Sequence, residues 1–140
     1  MNQYIVKKRV TLNASPLVVW DALTNPEMTK KYFFHCGVYS NWREGSPITF
    51  KGKIFLIKNI ELRGTIVRAE PGKLLKYTLQ NTKDESQSVI TDQLTYENGK
   101  TILSISDDVG NGAGADKRYK RSVKGWEKVL KGLKEVVEEV

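Results

Sequence analysis

Seven apolar residues near the end of the chain restrict what the rest of it can become. In the final 25 residues, DKRYKRSVKGWEKVLKGLKEVVEEV, the side chains of Tyr119, Val123, Trp126, Leu130, Leu133, Val137 and Val140 recur at intervals alternating four and three. That spacing places all seven on one stripe of an α-helix. Over residues 116–140 the helix would be roughly 37 Å long, enough to cross a small domain. A coiled coil is the competing use of such a stripe, but roughly three heptads with Tyr and Trp in the seam argue against it. Gly125, Val129, Gly132 and Val136 form an adjoining stripe of small residues. Each glycine costs the helix roughly 1 kcal/mol relative to alanine. Close approach of another backbone, or room for a bound molecule, has to offset that cost.

The chain has 140 residues, 39% of them hydrophobic and 28% charged, which suits one globular domain spanning 1–140. The opening MNQYIVKKRV lacks the apolar core of a signal peptide, and the apolar runs at 17–20 and 54–57 are far too short to span a membrane. Cys36 is the single cysteine, so no internal disulfide can form. Together these features predict a cytoplasmic protein with a reduced thiol.

The net charge is +7 and is unevenly distributed. Lys117, Arg118, Lys120, Arg121, Lys124, Lys128, Lys131 and Lys134 fall on the final helix, which Glu135, Glu138 and Glu139 close. Cations first and anions last oppose the helix dipole, so the arrangement does not serve helix stability. A basic face attracts nucleic acid, acidic lipid or an acidic protein; the alternative is a merely solvated face. No helix-turn-helix, RNP-like or zinc-finger signature accompanies the charge, so no specific nucleic-acid partner is expected.

Taken in order, residues 3–12 read as a strand. Ser15-Pro16 and Asn25-Pro26 are two successive helix starts, for short helices over 16–23 and from 26 to about 32. An aromatic stretch at 32–37 and a turn at 41–47 lead to a strand over 48–53. Residues 54–69 supply one or two more strands. Glu70-Pro71-Gly72-Lys73 is a type II turn, followed by a strand over 74–80, a polar loop over 81–88 and a strand over 89–96. Asn98-Gly99 is a type I′ hairpin turn. It sets Tyr96 opposite Thr101, Leu94 opposite Leu103, Asp92 opposite Ile105 and Ile90 opposite Asp107. One hairpin face is then apolar except for Asp92 and Asp107. The order strand, two short helices, several antiparallel strands and one long helix is α+β, with the sheet curving around the last helix.

These residues carry a resemblance. Ala14-Ser15-Pro16, Val19-Trp20 and Ala22-Leu23-Thr24-Asn25-Pro26-Glu27 resemble the opening motif of the family named for the activator of heat-shock-protein-90 ATPase, in the START-like, SRPBCC superfamily. Trp42-Arg43-Glu44-Gly45 resembles its tryptophan-and-glycine turn, the segment from Gly64 through Pro71 to Tyr77 its strand–proline–strand segment, and Gly125-Trp126 with Leu130 and Leu133 its helix signature. The resemblance implies a helix-grip fold, a curved antiparallel sheet wrapped around the C-terminal helix with the two short helices closing one end. It also implies a cavity between sheet and helix for lipids, sterols, polyketides or other apolar molecules.

Phe33, Trp42, Phe50, Tyr77, Tyr119, Trp126 and Leu130 are the candidates for the lining, although the same side chains would suit an ordinary core. Asp92 falls where similar proteins usually carry an apolar or aromatic inward residue, and Asp107 where many carry His. A carboxylate facing an apolar interior is expensive unless paired, hydrogen-bonded or protonated. The two are therefore candidate polar anchors inside a ligand cavity, Asp92 unless a bulge turns it outward and Asp107 unless it merely sits at the strand end. His35 and Cys36 point to opposite faces if they share a strand, and one His with one Cys is too few for zinc. No metal, no cofactor and no catalytic set is expected. The glycine-rich 110–114 segment reads as a hinge that could gate a cavity mouth.

The preferred expectation is a non-enzymatic module binding a small apolar or amphipathic molecule, with an enclosed cavity larger than a few waters. The alternatives are a co-chaperone-like module meeting an acidic protein through the basic helix face, and a cyclase- or hydrolase-type enzyme using Asp92 or Asp107 at a raised pKa.

Overall fold

A computed structural model describes residues 4–54, 58–80 and 86–139 of the chain. Strand β1 (Ile5–Leu12) is followed by helices α1 (Pro16–Thr24) and α2 (Pro26–Tyr32). Strands β2 (Cys36–Ser40), β3 (Pro47–Ile54), β4 (Lys58–Glu70), β5 (Leu74–Gln80), β6 (Gln87–Glu97) and β7 (Lys100–Asp108) come next, and helix α3 (Ala115–Glu138) ends the fold. The expected α+β helix-grip architecture is what forms. The strands make one antiparallel sheet in the order β1-β7-β6-β5-β4-β3-β2. It curves, aided by a bulge in β4 between Ile66 and Arg68, and α3 packs along its inner face. The sequence reading ran the last helix over 116–140, and Val140, like residues 55–57 and 81–85 of the expected strand and loop, lies outside the described residues.

Local signals set the boundaries. Ser15 Oγ accepts from Val18 N at 3.3 Å, and Asn25 Oδ1 from Glu27 N at 3.0 Å, so each short helix has its own cap. Gly72 at φ +76° provides the left-handed residue of the turn closed by Lys73 N→Glu70 O at 2.9 Å. Asn98 and Gly99 both lie at positive φ, as a type I′ turn requires. The β6–β7 register is the one the turn predicts, Ile90 opposite Asp107, Asp92 opposite Ile105 and Leu94 opposite Leu103.

The core is one cluster between sheet and helix. Trp126, Val129, Leu130, Leu133 and Val137 of α3 are buried against Leu75, Tyr77, Ile90, Leu103 and Ile105. The two helix glycines have different explanations. A Cβ on Gly132 would sit 2.8 Å from Tyr32 Cβ, so this glycine lets α2 approach α3. A Cβ on Gly125 would meet only the ring tip of Phe34, at 3.6 Å.

Arg118 departs from the expected basic face. It is buried, and its guanidinium donates to the carbonyls of Val109 at 3.0 Å, Ala113 at 2.9 Å and Asn111 at 3.2 Å. The glycine-rich segment is thus tied to the first turns of α3. The other cations of that run, from Lys117 to Lys134, are exposed.

The glycine geometry makes opposite predictions for one substitution at two sites. Gly132→Ala should lower unfolding free energy by about 1–3 kcal/mol through overpacking against Tyr32. Gly125→Ala should leave it unchanged or raise it by up to about 1 kcal/mol through helix propensity. Urea denaturation of the two variants checks both.

Candidate functional site

The inner face of the sheet carries two carboxylates among apolar neighbours. Because side chains alternate along a strand, Leu94, Asp92 and Ile90 of β6 share a face with Leu103, Ile105 and Asp107 of β7. Asp92 and Asp107 are then diagonal neighbours on that face, about 7–8 Å apart. No bulge interrupts β6, and Asp92 is 3% exposed, which overturns the outward alternative. Asp107 is 6% exposed and belongs to the interior as well.

Their partners differ. Asp107 Oδ2 accepts from Ser122 Oγ at 2.6 Å and from the Trp126 indole N–H at 2.9 Å, both on α3. Asp107 Oδ1 and Asp92 Oδ1 are buried, and no protein group among the described residues reaches either. Burial, with the charge of Asp107 nearby, pushes the Asp92 carboxyl up to about 7. Burial also raises Asp107, against the hydrogen bonds from Ser122 and Trp126. Tyr77 is raised by burial and by Asp92, Asp107 and Tyr32; Tyr32 is raised by burial and by Asp92. The Tyr32 hydroxyl donates elsewhere, to Ala22 O at 2.6 Å.

Two spaces adjoin this polar pair. Between α2, α3 and the sheet lies a void of about 20 Å³, whose walls include Tyr32, Phe33, Phe50, Tyr77, Asp92, Trp126, Val129 and Leu130. That is room for about one water. The expected enclosed cavity larger than a few waters is not formed, because Phe33, Phe50 and Trp126 fill it; Phe33 stacks on Phe50 at 4.7 Å and meets Trp126 edge-on at 6.1 Å. Outside it is an open groove of about 250 Å³, bordered by Phe34, Leu79, Ile90, Asp107, Arg121 and Gly125. Phe33, Trp126 and Val129 line both spaces, so these three side chains form the partition. Phe34 and His35 sit at φ +49° and +62°, a left-handed turn that buries Phe33 and leaves Phe34 46% exposed at the groove.

The structure brings six of the expected residues together around the void: Phe33, Phe50, Tyr77, Asp92, Trp126 and Leu130. Trp42 and Tyr119 stand apart. Trp42 is half-buried at φ +62° in the β2–β3 connection, and Tyr119 packs edge-on against Tyr4 at 6.3 Å. Tyr119 lies too near the start of α3 to reach the void. The sequence reading missed Tyr32, Ser122 and Val129. Ser122 lies one helical turn before Trp126, a spacing that could have marked it as a second donor toward Asp107. Cys36 is buried with its thiol pushed up by burial, while His35 is exposed, so the two form no reactive pair. Among the described residues, no group of three or more His, Cys, Asp and Glu is placed to hold a metal ion.

The Asp92 carboxyl makes stability depend on pH. Its folded pKa is raised above the unfolded value, so the folded state binds the extra proton. Stability is greatest below about pH 4 for this group and falls as pH rises toward about 7, by roughly 4 kcal/mol at most. Glu138, lowered by hydrogen bonds from Lys134 and Asn13 N, acts with the opposite sign, but only below the ordinary carboxylate range. Asp92→Asn should therefore be more stable than the parent at pH 8, by about 1–3 kcal/mol, and flatten the profile between pH 5 and 8. Guanidinium unfolding across that range measures it.

The comparisons with known proteins follow the fold closely. Residues 13–138 match the family model described as activator of Hsp90 ATPase homolog 1-like protein. The solution structure of ChR145 from Cytophaga hutchinsonii superposes with a TM-score of 0.78 at 30% identity, covering 99% of this chain and 97% of the other. MLL2253 from Mesorhizobium loti gives a TM-score of 0.81 at 21% identity, covering 97% and 98%. NE0264 from Nitrosomonas europaea gives 0.81 at 16% identity, covering 99% and 97%. No curated protein matches the chain significantly. Among the described residues, no helix is long and apolar enough to cross a membrane.

Proposed function

Because the chain belongs to the activator of Hsp90 ATPase homolog 1-like family, we propose that it is a non-enzymatic module binding a small hydrophobic or amphipathic molecule between the sheet and α3. Family membership fits a ligand-binding or a co-chaperone-like module. One observation favours the first. An apolar groove of about 250 Å³ is bordered by the buried carboxylate Asp107 and separated from the second, Asp92, by the side chains of Phe33, Trp126 and Val129. The groove is slightly smaller than ordinary small-molecule sites of about 300–1,000 Å³, so a compact ligand fits it as it stands. A larger one enters by turning Phe33 and Trp126 aside and joining groove to void. Phe33, Phe50, Tyr77, Asp92, Trp126 and Leu130 then contact the ligand, with Phe34 and Val129.

The second reading is a protein-interaction module, and the exposed row Lys117, Lys120, Lys124, Lys128 and Lys131 on α3 favours it. An acidic protein surface is the partner that row would meet, with strong salt dependence.

Titrating the ¹⁵N-labelled protein with fatty acids, sterols, flavonoids and smaller aromatics separates the two. Saturable amide shifts centred on Phe33, Phe34, Gly125 and Trp126 are expected, for at least one class. Gly125→Leu fills the groove from the helix side and should weaken that ligand by at least about tenfold while the fold persists. A flat response to the whole panel, with salt-sensitive shifts along the Lys row on adding an acidic protein, would instead establish the second reading. Slow conversion of a bound compound would make Asp92 or Asp107 an acid–base residue.

A further inference from the structure

We propose that the groove and void take an apolar molecule with a hydrogen-bond-donating head, best a protonated amine, whose donor engages the free oxygens of Asp107 and Asp92. The inference rests on the ligand-binding reading and adds the chemistry of the head group.

The interior has acceptors to spare, and none of its donors among the described residues, the Tyr77 hydroxyl on the void wall included, reaches them. Ser122 and the Trp126 indole are spent on Asp107 Oδ2, and the Tyr32 hydroxyl on Ala22 O. The Thr29 hydroxyl donates to Pro26 O at 3.3 Å and accepts from Val38 N at 3.0 Å. Asp107 Oδ1 and Asp92 Oδ1 are both buried and unreached by any protein group among the described residues. Asp107 borders the groove and Asp92 borders the void, so the two lie in sequence along one entry path. A buried acceptor left unmatched is costly, and a donor brought by a ligand removes that cost on binding. A charged donor makes a bond to carboxylate roughly twice as strong as a neutral one. An amine therefore gains more here than an alcohol, and a carboxylate head is repelled.

The other titratable and charged groups around the pair are Tyr32 on α2, Tyr77 on β5, Asp108 on β7 and Arg121 on α3. Only Arg121 is cationic, and it stands exposed at the groove rim, outside the carboxylates. An anionic ligand would have to bind the other way round, with its head at Arg121 and its apolar body inward. Asp92, raised to about 7, is largely protonated at mildly acid pH. Binding a cation beside it ionises it, so binding of the protonated amine should release the Asp92 proton to the buffer.

The test uses four compounds on one aromatic body: tryptamine, tryptophol, 3-ethylindole and indole-3-acetate, each titrated calorimetrically. Tryptamine should bind at least about tenfold tighter than 3-ethylindole, tryptophol between them, and indole-3-acetate weakest. Asp92→Asn and Asp107→Asn should each erase most of tryptamine's advantage over 3-ethylindole, the ratio of the two affinities being what is read. With the unaltered protein at about pH 6, the tryptamine enthalpy should vary with the buffer's ionisation enthalpy, which reports the released proton without any variant. Equal binding of all four compounds, or tightest binding by indole-3-acetate, overturns the head-group inference and leaves the pocket reading standing. Binding by none of them removes both.

Discussion

Asp107 and Trp126 face each other across the interface between the sheet and α3, and the rest of the interior is arranged around that contact. A carboxylate on an inward strand position must find donors or lose its charge. Helix α3 supplies two, Ser122 and the Trp126 indole, one turn apart, and both reach the same oxygen. That choice fixes the rotation of the helix and brings the Trp126 ring across the cavity, where it walls off Asp92. Asp92 receives no comparable help and stays near the midpoint of its titration at neutral pH. A hydrophobic residue at Asp92 would make a more stable core. The carboxylate there costs the core stability, a cost that the proposed ligand-binding role would explain.

The aromatic partition has its own cost. Phe34 and His35 occupy the left-handed region, which costs a non-glycine residue of order 1–3 kcal/mol. In return, consecutive phenylalanines point in opposite senses, Phe33 into the void and Phe34 onto the groove. Gly125 leaves the opposite side of the groove open, and Gly132 allows α2 close enough for Tyr32 to close the inner end. Backbone strain, missing side chains and the two short helices all converge on the groove and the void beneath it. The basic residues of α3 lie on the other side of the helix, apart from Arg118, which anchors the glycine-rich segment, and Arg121 at the rim.

The fold was legible because its signals are local and periodic. The four-three stripe specified α3, two capping dipeptides specified α1 and α2, and Asn98-Gly99 carried the β6–β7 register, from which the inward facing of Asp92 and Asp107 follows. The site was legible in part. Strand alternation put Phe50, Tyr77 and Asp92 on one face, and helical spacing added Trp126 and Leu130. Trp42 and Tyr119 shared the composition of a cavity lining but not its depth along the elements. The size of the void was not legible, since it depends on the rotamers of Phe33, Phe50 and Trp126 packing against one another. Nor was the burial of Arg118, because a run of eight cations on one helix gives no sign of which one finds three carbonyls.

Carboxyl titration by ¹³C NMR tests the central claim most directly, since it reads Asp92 and Asp107 individually in the unaltered protein. Asp92 should titrate near pH 7, and Asp107 above the ordinary carboxylate range but with its shift opposed by Ser122 and Trp126. If both instead titrate at or below about pH 4, as exposed aspartates do, the carboxylates are solvated or paired. The interior described here, and the recognition built on it, would then be wrong.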